Sequence, residues 1–110
     1  MKKLVLLGLL LATPAFAHAK LVSSDPAANA KVKAPGTIKL HFSESLEPAF
    51  SSATLTDAAG KTVPVSRSVG SDTITLLPLT LRPGAYTVSW HGVGQDTHRL
   101  NGSFGFTVIP

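Results

Sequence analysis

The sequence predicts an all-β fold, a sandwich or barrel of about seven short strands. Short segments alternate apolar and polar residues with a period of two, which is typical of half-buried strands. Between these segments, residues that favour turns recur at short intervals. Beyond residue 17, no window of about eleven residues repeats at the helical period, apart from a short turn signal around residues 46–50.

Residues 37–42, Thr-Ile-Lys-Leu-His-Phe, show the strand pattern most clearly. Their alternation predicts that Ile38, Leu40 and Phe42 face inward and that His41 faces outward. Further segments are short and rich in β-branched or aromatic residues, as strands usually are. They lie at residues 52–56, 62–66, 73–77, 85–91 and 103–109, with an opening strand at Leu21 and Val22. Turn signals separate them at residues 25–26, 34–36, 57–60, 69–72 and 82–84.

The segment 81–86, Leu-Arg-Pro-Gly-Ala-Tyr, resembles the corner of immunoglobulin-like sandwiches. In that corner, a tyrosine near the start of a late strand binds nearby backbone through its hydroxyl group. The segment therefore favours an immunoglobulin-like Greek-key sandwich over a barrel. After Tyr86, we expect Val88 and Trp90 to continue the inward face, while His91 faces outward.

The first 17 residues have the features of a cleavable secretory signal. Lys2 and Lys3 precede an apolar stretch at residues 4–12, and residues 15–17, Ala-Phe-Ala, place small side chains at the positions that determine cleavage. A stretch of about nine apolar residues is too short to cross a bilayer core, which needs roughly 20. We expect a signal peptide at residues 1–17 and one secreted domain at residues 18–110, with His18 at its N-terminus.

The amino-acid composition limits which classes of partner this protein could bind. The chain has no cysteine, so it lacks disulfides and the cysteine that carries the lipid in bacterial lipoproteins. Without the two lysines of the signal, eight basic residues face six acidic ones, which leaves a net charge of +2. No run of basic residues interleaved with aromatic ones follows Lys31 and Lys33, so we expect no nucleic-acid partner. We expect a soluble monomer that does not itself span the membrane.

A histidine at a processed N-terminus offers two nitrogen ligands. Its α-amine and its Nδ1 atom can bind one metal ion together and close a six-membered ring. The amine must lose a proton to bind, and its ordinary pKa is low enough for a metal to displace that proton near neutral pH. His18 is therefore a candidate ligand.

The segment 96–98, Asp-Thr-His, places a carboxylate and an imidazole two residues apart, in a loop that follows the strand ending near His91. On an extended backbone both side chains would point the same way. With His18, Asp96 and His98 make a set of three nitrogens and one oxygen, which suits Cu(II). Zn(II) binds the same kinds of ligand, so the sequence does not distinguish a Zn(II) site from a Cu(II) site. The only methionine, Met1, leaves with the signal, so a sulfur site for Cu(I) is not expected.

Each candidate also has a plainer interpretation. His18 could simply follow the cleavage site, and Asp96 and His98 could form an ordinary polar loop. Glu44, taken alone, is a surface carboxylate. His41 and His91 are best interpreted as outward-facing strand residues. The pairing of an N-terminal histidine with a downstream Asp-x-His segment is more informative than either part.

Three segments together resemble the CopC family of periplasmic copper-resistance proteins. They are His-Ala-Lys-Leu-Val-Ser-Ser-Asp-Pro-Ala at residues 18–27, Leu-His-Phe-Ser-Glu at 40–44, and Gln-Asp-Thr-His-Arg-Leu-Asn-Gly-Ser-Phe at 95–104. The resemblance spans residues 18–110. It implies an immunoglobulin-like sandwich or barrel that binds one Cu(II) ion through His18, Asp96, His98 and, in some members, the glutamate at the position of Glu44.

The resemblance also implies a role in copper resistance or homeostasis, in which copper is sequestered or passed to an inner-membrane partner of the CopD type. Many members carry a methionine-rich loop that binds Cu(I). The corresponding residues 53–65 contain no methionine here, which indicates the Cu(II)-only type.

Two other classes of function compete with a copper carrier. An N-terminal histidine chelate with a second histidine also resembles the copper site of lytic polysaccharide monooxygenases. Against that enzyme class, the processed chain is small and has one tryptophan and one tyrosine, too few for a sugar-binding platform. Asp96 would also occupy a copper position that oxygen chemistry needs open. A metal-free structural module needs only the sandwich, since a fold does not imply a function. We expect a binding protein and not an enzyme.

Overall fold

The structure, a computed structural model, describes residues 20–110. This part of the chain forms nine strands: β1 (Leu21–Asp25), β2 (Lys31–Lys33), β3 (Ile38–Phe42), β4 (Ser52–Asp57), β5 (Thr62–Val63), β6 (Val65–Val69), β7 (Thr73–Pro78), β8 (Gly84–Val93) and β9 (Arg99–Ile109). One turn of 3-10 helix, Pro48–Phe50, lies where the turn signal at residues 46–50 predicts it. No helix within residues 20–110 is long and apolar enough to span a membrane.

The strands form two sheets, which confirms the sandwich. One sheet has the order β1-β3-β7-β6 and the other the order β2-β9-β8-β4-β5. Neighbouring strands are antiparallel, except that β2 runs parallel to β9. Over residues 20–110 the two sheets stay separate, so the barrel alternative does not apply.

The predicted strand at residues 62–66 is in fact two strands. It breaks at Pro64, where the chain leaves the second sheet as β5 and enters the first as β6. Proline has no N–H group to donate to a strand neighbour, so a ladder cannot continue through it. β2 was not predicted because it has only three residues, too few to show an alternating pattern.

Alternation places the core where the sequence predicts it. Ile38 and Leu40 are 0% exposed and Phe42 is 1% exposed, while His41 is exposed. Val88 on the opposite sheet is also fully buried. Burying a side chain of this size stabilises the fold by about 1.5–3 kcal/mol. The two sheets therefore close over one shared core.

The predicted tyrosine corner is present. The Tyr86 hydroxyl donates a hydrogen bond to the Arg82 carbonyl oxygen at 2.7 Å. The Tyr86 ring stacks on Phe106 of the neighbouring strand, with 5.8 Å between ring centroids. These contacts fix the point at which β8 begins, and so the register of the β8–β9 pair.

Trp90 and Gly102 face each other in the β8–β9 ladder. The indole packs edge-on against Phe42 of the other sheet, with centroids 5.1 Å apart and planes at 74°. It also lies so close to the Gly102 backbone that a Cβ atom there would be 2.7 Å from Trp90 Cζ2. Glycine is needed at position 102 because the ring occupies the space of a side chain.

We therefore expect Gly102→Ala to lower the free energy of unfolding by about 1–3 kcal/mol, because the added methyl group displaces a ring packed in the core. Urea unfolding followed by Trp90 fluorescence measures the change. Gly36→Ala is the matched control, since a Cβ atom at position 36 meets no atom within 4 Å. Equal stability of Gly102→Ala and the native protein would contradict the close contact.

Candidate metal centre

Asp96 and His98 lie in the turn that joins β8 to β9. The last ladder pair joins Val93 to Arg99. Within the turn, the Thr97 N–H donates to the Gly94 carbonyl oxygen at 2.9 Å, and the Gly94 N–H donates to the His98 carbonyl oxygen at 3.2 Å. Thr97 adopts a left-handed backbone with φ of 66°. The turn therefore places the Asp96 and His98 side chains at the tip of the longest hairpin.

The Asp96 and His98 side chains contact each other across this turn, and not along the extended backbone expected from the sequence. The Asp96 Oδ1 atom accepts a hydrogen bond from the His98 backbone N–H at 3.1 Å, and Oδ2 lies 3.1 Å from His98 Nδ1. Side-chain exposure is 32% for Asp96 and 59% for His98. An ionised carboxylate can only accept hydrogen bonds, so Nδ1 must carry the proton in the metal-free protein.

The separation of Nδ1 and Oδ2 also matches that of two adjacent ligands of one metal ion. Metal bonds to imidazole nitrogen and carboxylate oxygen are near 2.0–2.1 Å, so ligands at right angles lie about 2.9 Å apart. An ion could thus take the place of the shared proton with little movement of either side chain. Metal and proton would compete for this position.

Glu44 lies on the segment that leaves β3 and reaches the same hairpin. Leu46 forms an isolated bridge with Gly94, and the Glu47 N–H donates to the Val93 carbonyl oxygen at 2.8 Å. The Glu44 Oε2 atom is buried and has no hydrogen-bond partner. A buried carboxylate oxygen without a hydrogen-bond partner is unfavourable, and a bound cation would offset the cost of burying it.

The start of the described chain is tied to the residue before Glu44. The Lys20 N–H donates to the Ser43 hydroxyl oxygen at 3.0 Å, and the Ser43 N–H donates to the Lys20 carbonyl oxygen at 2.9 Å. The role of Ser43 was not predicted, although it stands in the Phe-Ser-Glu segment. His18 lies outside the described residues, two positions before Lys20.

The other two histidines are exposed on strands, as predicted. His41 Nε2 lies 3.0 Å from Asp72 Oδ2, a pairing between β3 and the turn before β7 that no sequence motif signals. His91 lies opposite Asn101 on the outer face of β8. Among residues 20–110, no group of three or more His, Asp or Glu side chains could hold a metal ion. A centre of the predicted composition needs a further ligand from residues before 20.

The two imidazole–carboxylate pairs should have opposite tautomers in the metal-free protein. We expect the neutral form of His98 to carry its proton on Nδ1, because Asp96 accepts there, and that of His41 to carry it on Nε2, because Asp72 accepts there. Long-range ¹H–¹⁵N correlation spectra of the imidazole nitrogens distinguish the two forms.

Asp96→Ala should remove the Nδ1 preference of His98 and leave His41 unchanged, so His41 is an internal control. Detection of the proton of neutral His98 on Nε2 in the native protein would contradict a hydrogen bond between His98 Nδ1 and Asp96.

Comparison with known proteins identifies the family. The model of the CopC domain matches residues 21–109. Protein YobA of Escherichia coli strain K12 is 42% identical over 112 residues, covering 96% of this chain and 90% of the relative. Copper resistance protein C of Pseudomonas syringae pv. tomato is 40% identical over 111 residues, covering 92% of this chain and 88% of the relative.

The fold agrees with a solved structure of the same group. The crystal structure of PcoC from Escherichia coli, described as a methionine-rich copper resistance protein, matches with a TM-score of 0.78 and 37% identity. The match covers 84% of this chain and 100% of PcoC. The domain match, the identity to these relatives and the shared fold show that the chain belongs to the CopC family.

Proposed function

We propose that this protein is a periplasmic Cu(II)-binding protein of copper resistance, which holds one ion per chain through His18, Asp96 and His98, with Glu44 beside them. Its relatives include proteins named for copper resistance. The observation that carries the proposal is the convergence of three chain segments at one end of the sandwich. Lys20 is bonded to Ser43, and the segment after Glu44 is bridged to the hairpin that carries Asp96 and His98.

His18 fits this arrangement by chain length. Two residues span at most about 7 Å, so an N-terminus at His18 stays close to Lys20 and hence to Ser43 and Glu44. Cleavage after Ala17 supplies the free α-amine. The amine and Nδ1 of His18, with the carboxylate of Asp96 and an imidazole nitrogen of His98, make a set of three nitrogens and one oxygen that Cu(II) accepts in tetragonal geometry.

The oxidation state follows from the absence of soft ligands. PcoC is described as methionine-rich. This chain has Met1 alone, inside the proposed signal, and it has no cysteine. Thioether and thiolate sulfur select Cu(I), whereas imidazole, amine and carboxylate suit Cu(II). The protein is therefore a carrier for the oxidised ion.

This ligand set supports the binding and delivery of a copper ion and not catalysis. With both His18 nitrogens, Asp96 and His98 bound, the four tetragonal positions are filled by the protein. We infer that the protein is a monomer in the periplasm that sequesters Cu(II) or delivers it to a CopD-type protein of the inner membrane.

The central test compares two N-termini. Protein that starts at His18 should bind one Cu(II) ion, and protein extended by a glutamine that has cyclised to pyroglutamate should bind at least about 100-fold more weakly, because no amine remains. Changes to groups outside the ligand set already cost about 10–100-fold, so loss of a direct ligand should cost more. Competitive titration with a Cu(II) chelator, followed by Trp90 fluorescence, gives both affinities.

His41→Ala on the native N-terminus is the matched control and should keep full affinity. Equal affinities of the free and blocked N-termini would contradict the chelate. Failure of the native form to bind Cu(II) would overturn the proposed function as a whole.

Glu44 is tested by Glu44→Gln, which keeps the size of the side chain and removes its charge. We expect the affinity for Cu(II) to fall about tenfold or more, because a negative charge beside the metal is lost. The metal-free protein should not lose stability, since Glu44 Oε2 accepts no hydrogen bond. Exposed Glu47 offers the matched variant Glu47→Gln, which should change neither quantity. A copper affinity unchanged in Glu44→Gln would remove Glu44 from the site.

A further inference from the structure

A groove runs along the outer face of the β8–β9 hairpin, next to the copper-binding tip. Its volume is about 380 Å³, and we call it the Phe50 groove. Its walls and floor include Ala49, Phe50, His91, Val93, Arg99 and Asn101. None of these residues belongs to the proposed copper site.

The strand register explains why these side chains meet. His91 pairs with Asn101 and Val93 pairs with Arg99, so all four lie on one face of the hairpin, in two adjacent cross-strand pairs. The 3-10 helix places Phe50 against this face as a wall. Phe50 is 63% exposed, so its ring is accessible to a molecule that enters the groove.

The chemistry of the groove is that of a site for a carboxylate next to an apolar group. Arg99 supplies a permanent cation, and His91 and Asn101 supply further donors. No residue lining the groove is acidic. Among residues 20–110, no carboxylate forms an ion pair with Arg99. Phe50 and Val93 provide the apolar surface.

The groove continues toward the metal-binding tip. A second depression shares Phe50, Val93 and Arg99 and is also lined by Thr97, which separates Asp96 from His98. Glu47 lines only this second depression, so the negative charge lies at the tip end and not beside His91. A molecule lying in the groove would therefore pass within contact distance of the copper-binding loop.

We propose that the Phe50 groove is a docking site for an extended segment of a partner protein, in which an apolar side chain is followed by a carboxylate. The apolar side chain packs against Phe50, and the carboxylate pairs with Arg99. Charge complementarity selects this occupant, because a groove with Arg99 and no acidic lining residue matches an acidic segment and repels a basic one. The use of such docking for copper exchange rests on the proposed function, whereas the docking itself requires no copper.

The probe is a synthetic peptide, acetyl-Gly-Leu-Glu-Leu-Gly-amide, added to metal-free ¹⁵N-labelled protein that starts at His18. We expect saturable chemical-shift changes centred on Phe50, His91, Val93, Arg99 and Asn101, with a dissociation constant on the order of 1 mM for so short a ligand. Two comparison peptides carry glutamine or lysine in place of the glutamate. The glutamine peptide should bind at least about fivefold more weakly, and the lysine peptide should show no saturation.

Single substitutions test whether the peptide binds in the Phe50 groove or is attracted non-specifically to the protein surface. Arg99→Gln and Phe50→Ala should each weaken binding of the glutamate peptide about fivefold or more. Arg82→Gln and Leu79→Ala are the matched controls and should bind normally. Arg82 precedes the far end of β8, about 30 Å from Arg99, and Leu79 is 88% exposed outside the groove. All four positions are at the surface, so each variant should fold.

Absence of saturable shifts, equal binding of the three peptides, or equal loss in the matched controls would overturn the docking proposal. The copper titration is independent of these outcomes. Arg99→Gln and Phe50→Ala should keep the native affinity for Cu(II), so failure of docking leaves the copper proposal intact. Failure of copper binding in the native protein would remove the exchange role without affecting the peptide result.

Discussion

The antiparallel pairing of β8 with β9 is the interaction on which the rest of the structure depends. Ten residue pairs join the two strands, from Gly84 with Val108 to Val93 with Arg99. The Tyr86 corner fixes one end of this ladder, and the contact of Trp90 with Gly102 locks its middle to the core. A shift of one residue would reverse which side chains face inward, so the core specifies the register. The same register determines the side chains at the tip.

A second segment of the chain anchors the tip of the β8–β9 hairpin. Leu46 and Glu47 bond to Gly94 and Val93, while the Leu46 N–H also donates to the Ser71 carbonyl oxygen at 2.7 Å. The segment after β3 therefore connects the two sheets at this end of the sandwich. It carries Glu44 two residues before Leu46, which bridges to the hairpin of the other sheet. Rigid backbone on both sides lets a small turn present ligands in a reproducible geometry, which is what a binding site requires.

The sequence predicts the local features well and the long-range ones poorly. Alternation at residues 37–42 identifies β3 and its buried face, because the period of a strand is a local property. The proximity of Asp96 to His98 has a different origin from the one that the sequence suggests, because residues 96–98 form a turn with Thr97 at φ of 66° and not an extended strand. The pairing of Lys20 with Ser43 and of Leu46 with Gly94 joins distant segments, and no local pattern encodes it. The Phe50 groove depends on the β8–β9 register and on the turn of helix beside it, so it becomes visible only in the fold.

The proposed ligands also determine what copper would do to the protein. His18 precedes β1 in the sequence, and within residues 20–110 β1 is an edge strand that pairs with β3 alone. Asp96 and His98 belong to the other sheet. One ion bound to all three would therefore link the two sheets through the N-terminus. Because the core is complete without it, copper would add stability to an existing fold in proportion to the logarithm of its concentration. A protein that binds copper in this way would keep its shape when it releases the ion, and the neighbouring groove would be present with and without copper.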